Sequence, residues 1–373
     1  LARGARRVSR RVALVVGARP NYFKAKPLLA ELDACPEIEA LLVHTGQHYD
    51  PALYQDLFAQ LDLRAPDVYL GSEGQRQPVA DMIQVFTAWL KEATPDAVVV
   101  VGDVDSTVSS ALSAYYAGIP VAHVEAGLRS GDRAMPEEIN RLVTDAVSSL
   151  LLVSDPVGLE NLTREGRSPN DMTLIGNVMI DTLLERLPAA RALELPGPLA
   201  ARVADGPYGL VTLHRPGNVD DAPLLARFVD ALLTVSQRLP LVFPVHPRTR
   251  SRLEAGGLWE RLASCPTLTA WEPLGYLETI TLQASAAVVL SDSAGITEES
   301  SVLGRPCLTL RPNTERPITL ERGTSVLVPD PADIAGWVER ALDGSWPQRE
   351  GIELWDGKAS QRALAALLPW LGL

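Results

Sequence analysis

Short apolar runs rich in Val, Leu and Ile recur along the chain, and each gives way to Gly or polar turn residues before a stretch with helical spacing begins. The first set is VALVVGARP (12–20), ALLVHTGQ (40–47), AVVVVGD (97–103), IPVAHVEAG (119–127) and LLLVSD (150–155). A second set follows: YGLVTLHRPG (208–217), LPLVFPVHP (239–247), AAVVLSDSAG (286–295), RPCLTLRP (305–312) and TSVLVPD (324–330). Nearly continuous apolar strands alternating with helices predict parallel sheets, because a strand covered on both faces has no polar side to show. Between the sets, RLPAARALELPGPLAARVADGP (186–207) is rich in Pro, Ala and Gly and poor in strand formers, and reads as a domain connection. The pattern predicts an α/β chain of two Rossmann-like domains facing across a cleft. The first covers 1–185 and the second 208–355, with a last segment, 356–373, whose helix SQRALAALLPWL returns to the first domain. In open α/β sheets ligands bind beyond the carboxyl ends of the strands, so the polar residues that end each run are the candidates for chemistry.

The length of 373 residues exceeds what one hydrophobic core usually serves, in keeping with two domains. With 34 basic against 46 acidic residues the formal charge is −12, which argues against nucleic acid or an anionic membrane as partner. A local basic pocket for a phosphorylated small molecule stays open. Cys35, Cys265 and Cys307 are far apart and show no metal or disulfide spacing, so a reducing, cytoplasmic setting is expected. No apolar run reaches the roughly 18 to 20 residues of a membrane span, and no signal-peptide pattern is present. The basic opening LARGARRVSRR reads as a trimmed or frayed tail.

His44, His48, His123, His214 and His246 all fall close to expected strand ends. His44 and His48 have i, i+4 spacing, but HTGQH carries a Gly on a turn and lacks a zinc signature, so no metal is expected. In SDSAGITEESSVLGRP (291–306), Ser293, Ala294 and Gly295 open a helix and offer backbone N–H groups to a diphosphate. An ordinary N-cap by Asp292 or Ser293 explains the same residues. Glu298 and Glu299, one turn on, are suited to ribose hydroxyls and tilt the choice toward a nucleotide. GARPNYFKAKPLLAEL (17–32) places Arg19, Lys24 and Lys26 at the start of a helix, where cations are locally unfavourable unless an anion joins them. Arg316, in the loop TERPITLERG (314–323), also suits a phosphate or carboxylate.

Carboxylates crowd the first set of strand ends: Asp103 after AVVVV, Glu125 in HVEAGLRSGD, and Glu137 or Glu138 in PEEINR. Acids gathered in one place push one another's pKa upward, so some serve as acids while others serve as bases. First-turn acids opposite the helix dipole account for Glu137 and Glu138 but not for the other two.

As an ordered set, HVEAGLRSGD, PEEINR, GNVMIDTL, HRPGNVD, SDSAGITEE and TERPIT resemble the non-hydrolysing UDP-N-acetylglucosamine 2-epimerases, from about residue 12 to the C terminus. The resemblance implies the glycosyltransferase-B fold and a reversible epimerisation at sugar carbon 2. UDP is eliminated and re-added through a 2-acetamidoglucal, with no cofactor, no metal and a homodimeric assembly. By motif, Asp103, Glu125, Glu137 and His214 match the family's catalytic residues. Arg19, Lys24, His246, Ser293, Ala294, Gly295, Glu299 and Arg316 match its UDP-binding positions.

Departures from the family pattern bear on the substrate: Ala294 stands for the first Gly of SGG, ARPN for TRPE, and the loop between Glu125 and Glu137 is about two residues short. UDP-2,3-diacetamido-2,3-dideoxyglucuronic acid is the alternative sugar, and a glycosyltransferase of the same fold or a non-catalytic nucleotide-sugar sensor are rivals of other classes. In TGQHYD, Tyr49 and Asp50 replace the QHR-type stretch that holds an allosteric UDP-sugar in some members, so simple hyperbolic kinetics are expected.

Overall fold

The computed structural model describes residues 9–47, 58–71 and 77–373. The opening tail up to residue 8, together with His48, Tyr49 and Asp50, lies outside the described residues. The chain forms two compact units, one built from the described residues up to Glu185 together with Glu353–Leu373, the other from Arg186–Ile352.

The first unit holds a seven-stranded parallel sheet. Its strands are β1 (Arg10–Val16), β2 (Ile38–His44), β3 (Val68–Tyr69), β4 (Ala97–Val101), β5 (Val121–Ala126), β6 (Leu150–Val153) and β7 (Met172–Leu174). They lie in the order β3-β2-β1-β4-β5-β6-β7. The central strand AVVVV is buried at every position, which is why it reads as an unbroken apolar run. Ala13, Val15, Val98 and Val100 pack on one face with Phe86 and Leu90. Register matters for the chemistry: Val101 of β4 pairs with Val124 of β5, so Asp103, two residues past β4, and Glu125, near the end of β5, stand at the same level on neighbouring strands.

In the second unit six parallel strands follow the same scheme: β8 (Gly209–Thr212), β9 (Leu241–Pro244), β10 (Leu268–Trp271), β11 (Val288–Ser291), β12 (Cys307–Thr309) and β13 (Ser325–Leu327), in the order β10-β9-β8-β11-β12-β13. Successive residues face opposite sides: Val211 and Phe243 join the core with Phe228 and Val229, while Leu210 and Val242 pack with Tyr208 and Leu282. Strand order reverses direction between β1 and β4, and again between β8 and β11. Such switch points open a crevice at the strand ends, and the candidate residues cluster beside them.

The sequence pattern misses β3, β7 and β10. All three are outermost strands. A short edge strand needs no long apolar run, and every residue of β7 is only half-buried. The stretch 186–207, expected as a connection, lies in the second unit. It includes the helix Gly197–Ala204, whose Leu199 is buried with Tyr208 and Leu210. Near the C terminus, the helix Ala359–Trp370 packs on the helix Arg19–Ala34 within the first unit. Asp181 holds its start, accepting from the N–H groups of Ala359 (3.1 Å) and Ser360 (2.7 Å), and Trp355 Nε1 donates to the Ser154 carbonyl at 3.1 Å.

Candidate active site

In the first unit the turn after β1 is shaped by Asn21, whose Oδ1 accepts from Gly17 and Ala18 N–H and whose Nδ2 donates to the Val101 carbonyl at 2.8 Å. This ties the start of the helix Arg19–Ala34 to the end of β4. Arg19 is exposed at the first helical residue. The other two cations of the segment have protein partners: Lys24 is ion-paired with Glu125, and Lys26 with Glu185. The expectation that an anionic ligand accounts for them is thus corrected for Lys26, and Lys24 faces a candidate catalytic acid.

Glu125 interrupts the register between β5 and β6, a bulge that falls between Val124 and Ala126. Its φ of 76° is strained for a residue with a side chain, and strain of this kind persists where surrounding structure enforces it, often at functional sites. Gly102 accommodates it. At φ 71° a side chain here would be strained, and its Cβ would press within 3.2 Å of both Glu125 Oε2 and Lys24 Nζ.

Asp103 and Glu138 are joined by Arg141, which donates from Nη2 to Asp103 Oδ2 at 2.5 Å and from Nη1 to Glu138 Oε2 at 3.0 Å. Asn140 Nδ2 donates to the Asp103 carbonyl at 2.9 Å. Glu138 is 3% exposed and gathers the loop before it, accepting from Ser130 N–H (2.8 Å) and Gly131 N–H (3.0 Å). Burial works to raise its pKa, but these two N–H groups, the Ser130 hydroxyl and Arg141 hold it below the usual carboxylate range. Glu138 is therefore engaged in holding the loop and Asp103, whereas Glu137 stands half-buried beside it in the first turn of the helix Pro136–Val147. The sequence reading missed Asn140 and Arg141 as site residues, although their position one turn after Glu137 on the same helix is the signal that places them. It also missed Asp145, which pairs with the buried His123 at 2.6 Å.

In the second unit, Asp292 follows β11 directly, is fully buried and reaches back to the exit of β8. It accepts from the N–H groups of His214 (2.9 Å) and Arg215 (2.7 Å), and from Asn218 Nδ2 (3.1 Å). His214 Nδ1 lies 3.0 Å from Asp292 Oδ1. Burial works to raise the pKa of Asp292, but His214 and the two backbone donors keep it below the usual value. An ionised Asp292 makes Nδ1 of His214 the donor and turns Nε2 outward from the pair. His246 lies 5.5 Å from His214 between ring centroids and caps the helix Pro247–Ala255.

Asp292 is thus turned away from the helix Ala294–Leu303, and Ser293 makes no side-chain capping bond among the described residues. The Ser293 N–H is taken by Ser291 Oγ at 3.0 Å, and among the described residues no side-chain cap from Ser293 reaches the N–H groups that follow at the start of this helix. One turn on, Glu298 pairs with Arg316 at 2.9 Å and Glu299 accepts from the Tyr276 hydroxyl at 2.9 Å. Arg316 is 1% exposed, and the carboxylate it meets here is that of Glu298. Burial raises Glu299 to about 8, against the Tyr276 hydrogen bond and with the help of Glu298. Among the described residues no three His, Cys, Asp or Glu side chains are grouped to hold a metal ion, and no helix is long and apolar enough to cross a membrane.

Residues 30–368 match the family model for UDP-N-acetylglucosamine 2-epimerase. A UDP-N-acetylglucosamine 2-epimerase of Methanocaldococcus jannaschii is 38% identical over 86% of this chain and 88% of its own. A UDP-2,3-diacetamido-2,3-dideoxy-D-glucuronate 2-epimerase of Pseudomonas aeruginosa is 36% identical over 94% of this chain and 98% of its own. The crystal structure of M. jannaschii UDP-GlcNAc 2-epimerase in complex with UDP-GlcNAc and UDP superposes with a TM-score of 0.82 at 34% identity, covering 96% of this chain and 99% of that one.

Proposed function

The chain belongs to the UDP-N-acetylglucosamine 2-epimerase family, and from that premise we propose that it interconverts UDP-GlcNAc and UDP-ManNAc without cofactor or metal. A base removes the proton at sugar carbon 2 as the bond from carbon 1 to the UDP oxygen breaks, leaving 2-acetamidoglucal and UDP. UDP then re-adds at carbon 1 while an acid delivers a proton to the opposite face of carbon 2. Two differently placed acid/base groups are required, since the proton leaves one face and returns on the other.

The observation that carries this reading is the gathering of Asp103, Glu125 and the Glu137 turn on the first unit by Arg141, Lys24 and Glu138. Asp103, Glu125 and Glu137 perform the proton transfers in this proposal. The second unit receives UDP: the N–H groups at the start of the helix Ala294–Leu303 take the diphosphate, and His214, oriented by Asp292, acts as an imidazolium whose Nε2–H donates to the leaving oxygen. His246 completes the anion's surroundings on this unit, and Glu299 faces the ribose. A homodimer in the cytoplasm, supplying amino sugars for cell-surface polysaccharide, is part of the same proposal.

The P. aeruginosa relative supports a second reading, in which the sugar is a diacetamido uronic acid. Incubating the purified chain with each UDP-sugar separately, without acceptor, and following the anomeric protons by NMR decides between them. Conversion of UDP-GlcNAc is expected. Conversion of the uronate alone replaces the first reading with the second, and no conversion of either overturns both.

A further inference from the structure

His123 is fully buried in the middle of β5, and both its ring nitrogens are occupied: Nδ1 lies 2.6 Å from Asp145 Oδ1 and Nε2 lies 2.8 Å from the Gly102 carbonyl. A peptide carbonyl only accepts, and so does an ionised carboxylate. The second oxygen of Asp145 receives Gly127 N–H at 3.1 Å and Arg129 Nη2 at 2.7 Å, donors that favour its ionised form. Both ring nitrogens of His123 therefore donate, and the ring is an imidazolium.

This one pair touches every segment that carries a candidate acid. Gly102 precedes Asp103. Gly127 follows Glu125 by two residues, and Asp145 rides on the helix that carries Glu137 in its first turn. We propose that His123 and Asp145 are positioning residues, a buried imidazolium–carboxylate pair that fixes these three segments relative to one another and so sets the spacing of Asp103, Glu125 and Glu137. The proposal rests on the function given above. Asp145 and Arg129 are the charges bonded into the pair. Across the Gly102 turn stand Asp103 and the ion pair of Lys24 with Glu125, and Asp105 begins the neighbouring helix. Burial would push Asp145 up, but His123 and Arg129 hold it below the usual carboxylate range, so it stays charged at neutral pH.

The test combines a spectrum with kinetics on the full chain. With 15N-labelled histidine, His123 is expected to show two protonated ring nitrogens, and a single-proton tautomer would overturn the proposal. Asp145→Asn keeps the shape and removes the charge. It is expected to convert His123 to the neutral ring and to lower kcat about 100-fold, the scale of a small misplacement of reacting groups, with KM for UDP-GlcNAc unchanged. His123→Gln, which retains one donor for Gly102, is the companion variant and shows the same split. Full turnover in either folded variant, or a rise in KM that matches the fall in kcat, contradicts a positioning role. A wild-type chain that spectroscopically carries the imidazolium but epimerises no UDP-sugar leaves the pair standing and removes the assigned reaction instead.

Discussion

Arg141 donates to Asp103 at 2.5 Å, linking the helix that carries Glu137 to the turn that follows β4. Its other terminal nitrogen holds Glu138, so a rigid two-pronged cation sets the place of one candidate acid against another. Lysine offers the charge without the fork. Arg141→Lys is expected to lower kcat by roughly 10- to 100-fold through misplacement of Asp103, while UDP affinity measured by calorimetry stays the same. A variant with wild-type turnover would show that Asp103 needs no such support.

Glu137 and Glu138 are adjacent, but the structure gives them different work. Glu137→Gln is expected to reduce turnover by at least about 100-fold, as for loss of a positioned acid or base, with an unchanged melting temperature. Glu138→Gln leaves Arg141 with a weaker partner and loosens the Ser130–Gly131 loop, so stability falls first, by about 3 kcal/mol or more if the pair behaves as a buried ion pair that has lost one charge. Urea unfolding separates the two. Equal stability losses at both positions would contradict the division.

Glu138 also predicts an acid limb of stability. Its folded pKa is depressed, so its contribution is present above the ordinary glutamate value of about 4.3 and is lost as pH falls through the lower folded value. The slope of unfolding free energy against pH in that acidic window is expected to be shallower in Glu138→Gln than in the wild type. Parallel slopes would mean that another carboxylate dominates.

Glu299 works in the opposite sense. Its folded pKa is raised to about 8 by burial, so stability declines as pH rises from the ordinary glutamate range through that value, where the unfolded chain has already lost the proton. Glu299→Gln imitates the protonated form and is expected to be more stable than the wild type at pH 8, with the difference shrinking toward pH 5. Weaker UDP binding in the same variant is the expected counterpart if Glu299 meets the ribose. A variant less stable than the wild type at pH 8 contradicts the buried, raised carboxyl.

The strand ends were legible because buried parallel strands leave unbroken apolar runs, and the polar residues that stop those runs are few. Asp103, Glu125, His214 and Ser293 could be found in this way. The supporting residues were not. Asp145 looks like any polar residue on an amphipathic helix, and only the parallel pairing of β4 with β5 brings the Gly102 turn beside His123. Glu298 and Arg316 are 18 residues apart in sequence and form a buried pair once the helix Ala294–Leu303 is packed. Neither residue's local sequence distinguishes an inward ion pair from an exposed contact. The edge strands β3, β7 and β10 were invisible for a simpler reason: they are short, and half-covered strands carry no continuous apolar signal.

The acids of the first unit are proposed to move a proton on and off carbon 2 of a UDP-sugar. Running the reaction on UDP-GlcNAc in heavy water and reading carbon 2 of the UDP-ManNAc formed tests it most directly. Deuterium is expected at that carbon in the product, and it is expected to be lost together with turnover in Glu137→Gln. Epimerised product that keeps its original hydrogen at carbon 2 would contradict it.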